Sequence, residues 1–274
     1  MDYISYSQYN SYTRCPRSWY LSKVRKAEEK QTWYIPIGSA VHTAVESYLR
    51  GEPYDLEDIF YKLVSKQMAI EPDTTKWLAG GSQDDPVIEA KALQRANECH
   101  YNALEFLEDI DVYEIEYNAT GRLPGLNVEI KAYIDVIGEH KKHGPTIVDW
   151  KTGRQKPKDN FQLETYKALI SVPLPNGNDH PFTEHGSIQF NTGLWGMLSP
   201  EASKARPVDL SQVSPKDIGE KYQAVYDKMQ RKLYQTNAGY NCRFCFNQEN
   251  CLLEAGPTAR AKYYDRADED GYPY

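Results

Sequence analysis

The chain has 274 residues, 40% of them hydrophobic and 26% charged, the balance of an ordinary globular protein large enough to fold without disulfides. Its formal net charge of −7 excludes gripping nucleic acid by overall positive charge, so contact with a phosphate backbone needs local basic patches and bound cations. The start Met1, Asp2, Tyr3, Ile4 lacks the basic and apolar run of a signal peptide, and no stretch approaches 18 apolar residues. Together these predict a cytoplasmic protein without a membrane span, whose five cysteines stay reduced.

Residues 5–34 read as an interrupted helix. Ser5 or Ser7 caps a first helix, Pro16 opens a second and Pro36 ends the segment. Basic residues gather here (Arg14, Arg17, Lys23, Arg25, Lys26, Lys30) and again at Lys151, Arg154, Lys156 and Lys158. Tyr3, Tyr6, Tyr9 and Tyr12 form a stripe on one helical side, with Trp19 and Tyr20 beyond. Such rings either pack or stack on bases, and packing is the commoner use.

Residues 37–50 form an amphipathic helix with Val41, Ala44, Val45, Tyr48 and Leu49 at helical spacing, stopped by Gly51. Helices follow at 55–70 and 87–110 around a Gly80-Gly81 loop. From 111 the period shortens: 112–118 and 127–138 read as strands joined by a turn through Gly121, Pro124 and Gly125, with a third strand at 146–151. A helix at 159–171, a strand at 185–195 and a long helix at 214–236 complete the pattern. That last helix turns Ile218, Tyr222, Val225, Met229 and Leu233 inward, ahead of a cysteine loop and an acidic tail. The order predicts one mixed α/β unit over 1–274: N-terminal helices at 1–36, a helical part at 37–110, a sheet core at 111–213 and a long helix, cysteine loop and tail at 214–274.

The strands carry the chemistry. Asp135 lies in Ile134-Asp135-Val136-Ile137 and Asp149 in Ile147-Val148-Asp149-Trp150-Lys151, and burying an unpaired carboxylate among such residues is costly. A hairpin brings the two acids together, where they repel unless a divalent cation lies between them. Asp149 and Lys151 are two apart, so on a strand they share a face, and an ammonium there stands beside the ion as it would in phosphodiester hydrolysis. The bland alternative is a buried structural ion pair.

Two helices add to this set. His42 borders the apolar face of the 37–50 helix with Glu46 one turn on, and could complete a metal site; a lone histidine there is more often a core residue. Gln162 and Tyr166 are neighbours on one helix face, placed to hold the lysine, the scissile phosphate or a base, unless they are ordinary helix surface. Cys242 and Cys245 form a C-x-x-C with Cys251 five residues later, and Cys15 lies far upstream; four such thiolates suit Zn²⁺ or a [4Fe–4S] cluster. Cys99 matches no motif and reads as a buried or incidental thiol.

These residues resemble the RecB-like branch of the PD-(D/E)XK nuclease superfamily. They are most similar to its stand-alone iron–sulfur members, such as the CRISPR-associated adaptation nuclease and its phage relatives, and to AddB-type nuclease domains. The branch pattern G-x-x-x-H, D, (D/E)-x-K, Q-x-x-x-Y reads here as Gly38–His42, Asp135, Asp149–Lys151 and Gln162–Tyr166, in that order. Ile134 stands where the superfamily's name has proline, and the second acid is Asp149 rather than Glu. The resemblance implies a restriction-endonuclease-like mixed sheet core flanked by helices, with an N-terminal helical insertion and a C-terminal Fe–S loop. It implies that His42, Asp135, Asp149 and the carbonyl of Trp150 bind Mg²⁺ or Mn²⁺, with Lys151 as the catalytic lysine. It further implies that Cys15, Cys242, Cys245 and Cys251 hold a [4Fe–4S] cluster tying the N-terminal helix to the C-terminal loop.

The expected activity is a metal-dependent DNA exonuclease acting on single strands or ends in recombination, repair or phage DNA processing. A CRISPR spacer-acquisition nuclease has the same chemistry. The chain carries no phosphate-binding loop for a motor of its own, so such a nuclease acts alone or borrows the motor of a recombination or CRISPR-adaptation partner. The different-class reading is a non-catalytic DNA-end-binding subunit, against which the intact Asp149–Lys151 pair argues.

Overall fold

Ile147 and Val148 are consecutive and both fully buried, so the strand that carries them needs cover on each face. The structure is a computed structural model that describes residues 2–78, 89–154, 156–182, 189–201, 204–239, 242 and 244–251. In chain order it forms β1 (Tyr3–Ser5), α1 (Tyr6–Arg14), α2 (Pro16–Lys23), α3 (Tyr34–Arg50), α4 (Leu56–Met68) and α5 (Glu89–Leu107). There follow β2 (Ile110–Asn118), β3 (Glu129–Lys131), β4 (Tyr133–His140), β5 (Gly144–Lys151), α6 (Phe161–Ile170), β6 (Thr192–Met197), β7 (Lys204–Asp209) and α7 (Pro215–Gln230).

Five strands make one sheet in the order β2-β4-β5-β6-β7. All pairs are antiparallel except β5–β6, whose parallel pairing is closed by the crossover helix α6. On one face α3, α4 and α5 bury Val41, Val45, Phe60 and Ala96 against Val136, Val148, Trp150 and Leu194. On the other, Leu163 and Leu169 of α6, Tyr222 of α7 and Tyr12 of α1 cover Ile137, Ile147, Trp195 and Met197. Each such large side chain taken out of water contributes about 1.5–3 kcal/mol. The result is a mixed α/β sheet between helical layers, the core architecture that the resemblance implies.

Several boundaries differ from the sequence reading. Pro36 does not end a segment: it sits buried in the first turn of α3, where its missing N–H costs nothing. The stretch 127–138 is two strands interrupted at Ala132, because β3 pairs with β1 and β4 with β2. The strand expected at 185–195 is β6, shifted to Thr192–Met197; positions 183–188 lie outside the described residues, as do the Gly80-Gly81 loop and the acidic tail. The short strands β1 and β7 carry no clear sequence alternation and were not expected. Helix α7 ends at Gln230, so Leu233 is exposed rather than inward, and Tyr48 is likewise half exposed. Ser5 is the cap of α1, accepting from Gln8 N at 3.2 Å.

The segment after α7 returns to α1 and α2. Tyr12 OH donates to Leu233 O, Asn237 Nδ2 to Arg14 O at 2.9 Å, and Lys30 N to Phe246 O at 3.0 Å. Asn250 Nδ2 donates to Glu28 O at 2.7 Å. The two distant stretches that carry Cys15 and Cys242–Cys251 are thus joined by ordinary hydrogen bonds.

Candidate active site

The ladder between β4 and β5 runs from His140↔Gly144 to Val136↔Val148 and stops there, immediately before Asp135 and Asp149. Both carboxylates therefore sit where the strands part. Asp149 is only 2% exposed. Its Oδ1 accepts from Gln162 Nε2 at 2.6 Å and Tyr166 OH at 3.3 Å. Its Oδ2 is the ion-pair partner of Lys151 Nζ but receives no hydrogen bond of regular geometry.

Strand spacing puts Lys151 beside Asp149, and helix spacing puts Gln162 beside Tyr166. Lys151 Nζ donates to Gln162 Oε1 at 3.0 Å and lies 5.1 Å from the Trp195 ring centroid. Gln162 Nε2 also reaches Tyr166 OH at 2.8 Å, so one amide ties lysine, aspartate and tyrosine together. Burial pushes the Asp149 carboxyl up to about 6; the Asp135 charge adds to this, against the opposing pull of Lys151. Burial, then the charges of Asp149 and Asp135, raise the Tyr166 hydroxyl well above its ordinary value, which keeps it a donor.

On the other side, His42 Nδ1 stands 3.5 Å from Asp135 Oδ1 and 3.9 Å from Glu116 Oε1. Ligand atoms of His42, Glu116 and Asp135 all lie within 4.8 Å of one another. Asp135 is fixed through Oδ2, which accepts the Trp150 backbone N–H at 2.7 Å. Glu116 reaches the group from β2 with a left-handed backbone, φ 44°, below a register shift between Val112 and Glu114. Such a conformation is unfavourable for a non-glycine residue and concentrates at functional sites. Burial alone would lower the His42 pKa. The charge of Asp135, hydrogen bonds to Asp135 and Glu116 and the charge of Asp149 outweigh it and raise the value to about 10. The group opens on a cleft of about 530 Å³ lined by α3, including Tyr34, Ile35, Gly38, Thr43 and Glu46.

The structure thus gathers His42 and Asp135 in one cluster and Asp149, Lys151, Gln162 and Tyr166 in an adjoining one. Asp149 is near enough for its charge to act on His42, although it stands outside the 4.8 Å group. Glu46 lines the cleft but is engaged by Arg50 at 2.8 Å rather than orienting His42. Trp150 contributes its peptide N–H to Asp135 while its indole packs edge-on against Phe106, 5.0 Å between centroids. A Cβ on Gly196 would lie 2.3 Å from that indole, so β6 keeps a glycine under it. Arg95 of α5 fastens the end of β5 by donating to Thr152 O at 3.2 Å and Ser199 Oγ at 3.0 Å.

Glu116 is the residue the sequence reading missed. It lies across from Asp135, between the Ile115↔Val136 and Tyr117↔Ile134 pairs of the β2–β4 ladder, a pairing that only the folded sheet supplies. The tyrosine stripe divides. Tyr9 packs on Phe161 and Tyr222 at 4.5 and 4.8 Å, Tyr12 on Trp19 at 5.5 Å, and Tyr3 belongs to β1.

Cys99 is fully buried, and burial raises its thiol to about 11. Cys15, Cys242, Cys245 and Cys251 are half-buried. Asn237 N approaches Cys15 Sγ at 3.5 Å and Ser18 Oγ lies 3.4 Å from Cys245 Sγ. Burial raises the Cys251 thiol, as do Cys15, Cys245 and Cys242, against the opposing pull of Arg17.

Three carboxylates and an imidazole against a single lysine, beside an open cleft, make an arrangement suited to a divalent cation and an anionic substrate. Two curated relatives are the Gene 69 proteins of Mycobacterium phage D29 and Mycobacterium phage L5, each 24% identical, with 90% of this chain and 95% of theirs aligned. A presumed exonuclease from Eubacterium rectale, known from its crystal structure, is similar at a TM-score of 0.42 and 15% identity, over 85% of this chain and 80% of that one. The family model of the PD-(D/E)XK nuclease superfamily matches residues 3–251, a span that takes in both halves of the site. With its mixed sheet and its D…D-x-K pair at the parting strands, the chain belongs to the PD-(D/E)XK nuclease superfamily.

Proposed function

We propose that this chain is a Mg²⁺- or Mn²⁺-dependent DNA exonuclease of the RecB-like iron–sulfur branch, acting in the cytoplasm on single strands or DNA ends, with 1–274 forming one nuclease domain. The observation that carries the reading is the meeting of His42, Glu116 and Asp135 within 4.8 Å, next to a buried Asp149–Lys151 pair. Carboxylate oxygens with one imidazole suit a hard divalent ion, and Asp149 Oδ2, buried without a regular hydrogen bond, is an acceptor such an ion satisfies. His42, Glu116, Asp135 and Asp149 are the proposed ligands; the Trp150 carbonyl joins them on the resemblance alone.

A bound ion supplies Lewis acidity toward the scissile phosphate and toward the attacking water. Lys151 holds a fixed positive charge where negative charge builds on the phosphate. Gln162 keeps the ammonium in place, and Tyr166 steadies both Gln162 and Asp149. The phage origin of the two relatives favours phage DNA processing over spacer acquisition.

Cys15, Cys242, Cys245 and Cys251 are the proposed ligands of a [4Fe–4S] cluster. Hydrogen bonds between the stretch after α7 and the N-terminal helices, Asn237 Nδ2 to Arg14 O at 2.9 Å among them, hold together the segments that carry these cysteines.

The test is hydrolysis of end-labelled single-stranded and duplex DNA with and without Mn²⁺, alongside Asp149→Ala and Lys151→Ala. Each variant should lose about 10³-fold in rate, ~4 kcal/mol, with an unchanged circular dichroism spectrum. Cutting at the wild-type rate by both would remove the nuclease reading. Protein purified without oxygen should be brown, and Cys245→Ala should lose the colour and melt earlier. A colourless preparation with stoichiometric zinc would replace the cluster.

A further inference from the structure

Along β3 and β4, Ile130, Ala132 and Ile134 are buried in the core, so Lys131, Tyr133 and Asp135 share the opposite side. Tyr133 is 45% exposed. The parallel pairing of β1 with β3, which sets Ser5 against Lys131, brings up Tyr3, 41% exposed. Lys131 Nζ lies 5.4 Å from the Tyr3 ring centroid and 5.8 Å from that of Tyr133. Two rings open to water therefore flank one ammonium, and Tyr133 is about 7 Å along the strand from Asp135.

A surface cation–π group of this kind adds little stability on its own. Three features ask for more than that. Both rings leave large faces in water, unlike Tyr9 and Tyr12, which spend theirs on packing. The strand leads directly into Asp135. The ammonium lies four residues before Asp135, about 13 Å of extended strand from a site whose His42–Glu116–Asp135 half is acidic, in a chain of net charge −7, so it supplies positive charge on the path of a polyanion leaving the site.

We infer that Tyr3, Lys131 and Tyr133 form a nucleotide-binding subsite for the single-stranded part of the DNA substrate, one step from the scissile bond. Bases stack on the tyrosines and the adjoining phosphate meets Lys131. Stacking on rings is indifferent to base identity, so the subsite selects for an unpaired strand rather than for sequence. This rests on the nuclease reading above.

The experiment is fluorescence anisotropy of a labelled oligothymidylate and a blunt duplex in Ca²⁺, with Tyr133→Ala, Tyr133→Phe and Lys131→Ala, followed by steady-state cutting in Mn²⁺. Tyr133→Ala should weaken oligothymidylate binding about tenfold, and Tyr133→Phe should restore it. Lys131→Ala should flatten the log–log salt slope by about 0.7. Duplex affinity should move by less than about twofold, and the loss in cutting should fall on KM rather than kcat. Wild-type affinity in Tyr133→Ala, an equal loss on blunt duplex, or a loss confined to kcat would overturn the subsite. A wild type that binds in this pattern but cuts nothing would sink the nuclease reading and leave the subsite standing.

Discussion

Asp149, Lys151, Gln162 and Tyr166 are joined by hydrogen bonds of 2.6–3.3 Å, whereas His42, Glu116 and Asp135, in the adjoining cluster, meet only at 3.5–3.9 Å. The first group sits on central strand β5 and helix α6, and every polar atom but one has a regular partner. The second is assembled from α3, β2 and β4 around a cleft, two of its members are carboxylates, and their charges raise the histidine pKa. Under the proposed function, the site is half finished by the fold and half left for an ion. Rigidity belongs to the lysine side, charge frustration to the other.

If that contrast is right, mutations in the two halves should separate metal affinity from turnover. The largest effect is expected at Glu116. Glu116→Gln should weaken Mn²⁺ binding by about 10–100-fold in a calorimetric titration, yet leave the metal-free protein as stable as before, because a like charge beside Asp135 has been removed. Unchanged affinity would move the ion away from this cluster.

Next is pH. The fold raises the His42 pKa from its ordinary 6.5 to about 10, so an ion bound as proposed would have to displace a proton. Mn²⁺ affinity should therefore rise by up to about tenfold per unit between pH 6 and 8. The stability that His42 gives the metal-free fold runs the other way: it is complete below about 6.5 and fades as pH climbs toward 10. Affinity that is flat with pH would argue that His42 is not displaced.

The smallest effect is expected on the interlocked side. Tyr166→Phe removes one buried hydroxyl and should cost about 0.5–1.5 kcal/mol in a urea melt, with a few-fold loss of cutting and no change in Mn²⁺ affinity.

Much of this is legible in the sequence. Asp135, Asp149 and Lys151 stood out because charged residues in apolar strands are expensive, and Gln162 and Tyr166 followed from helix spacing. Apolar runs likewise locate β4 and β5, and the helical spacing of Val41, Ala44 and Val45 locates α3. What could not be read depends on backbone and partners rather than residue type. Glu116 is placed by a left-handed residue in β2, a conformation no side chain announces. β1 owes its existence to β3, and β7, which contains Lys204, Arg206 and Pro207, is a strand because β6 lies beside it. Pro36 reads as a stop unless one knows that the helix begins two residues earlier.

The bare glycine under Trp150 ties architecture to chemistry. Any side chain at Gly196 must dislodge the indole, and the peptide that would shift with it is the one holding Asp135. A methyl group added on a neighbouring strand, out of reach of DNA, would then register in kinetics as damage to the ion site. The sheet's interior is in that sense a calibration surface, and tolerance to substitution there is set by phosphate chemistry as much as by folding.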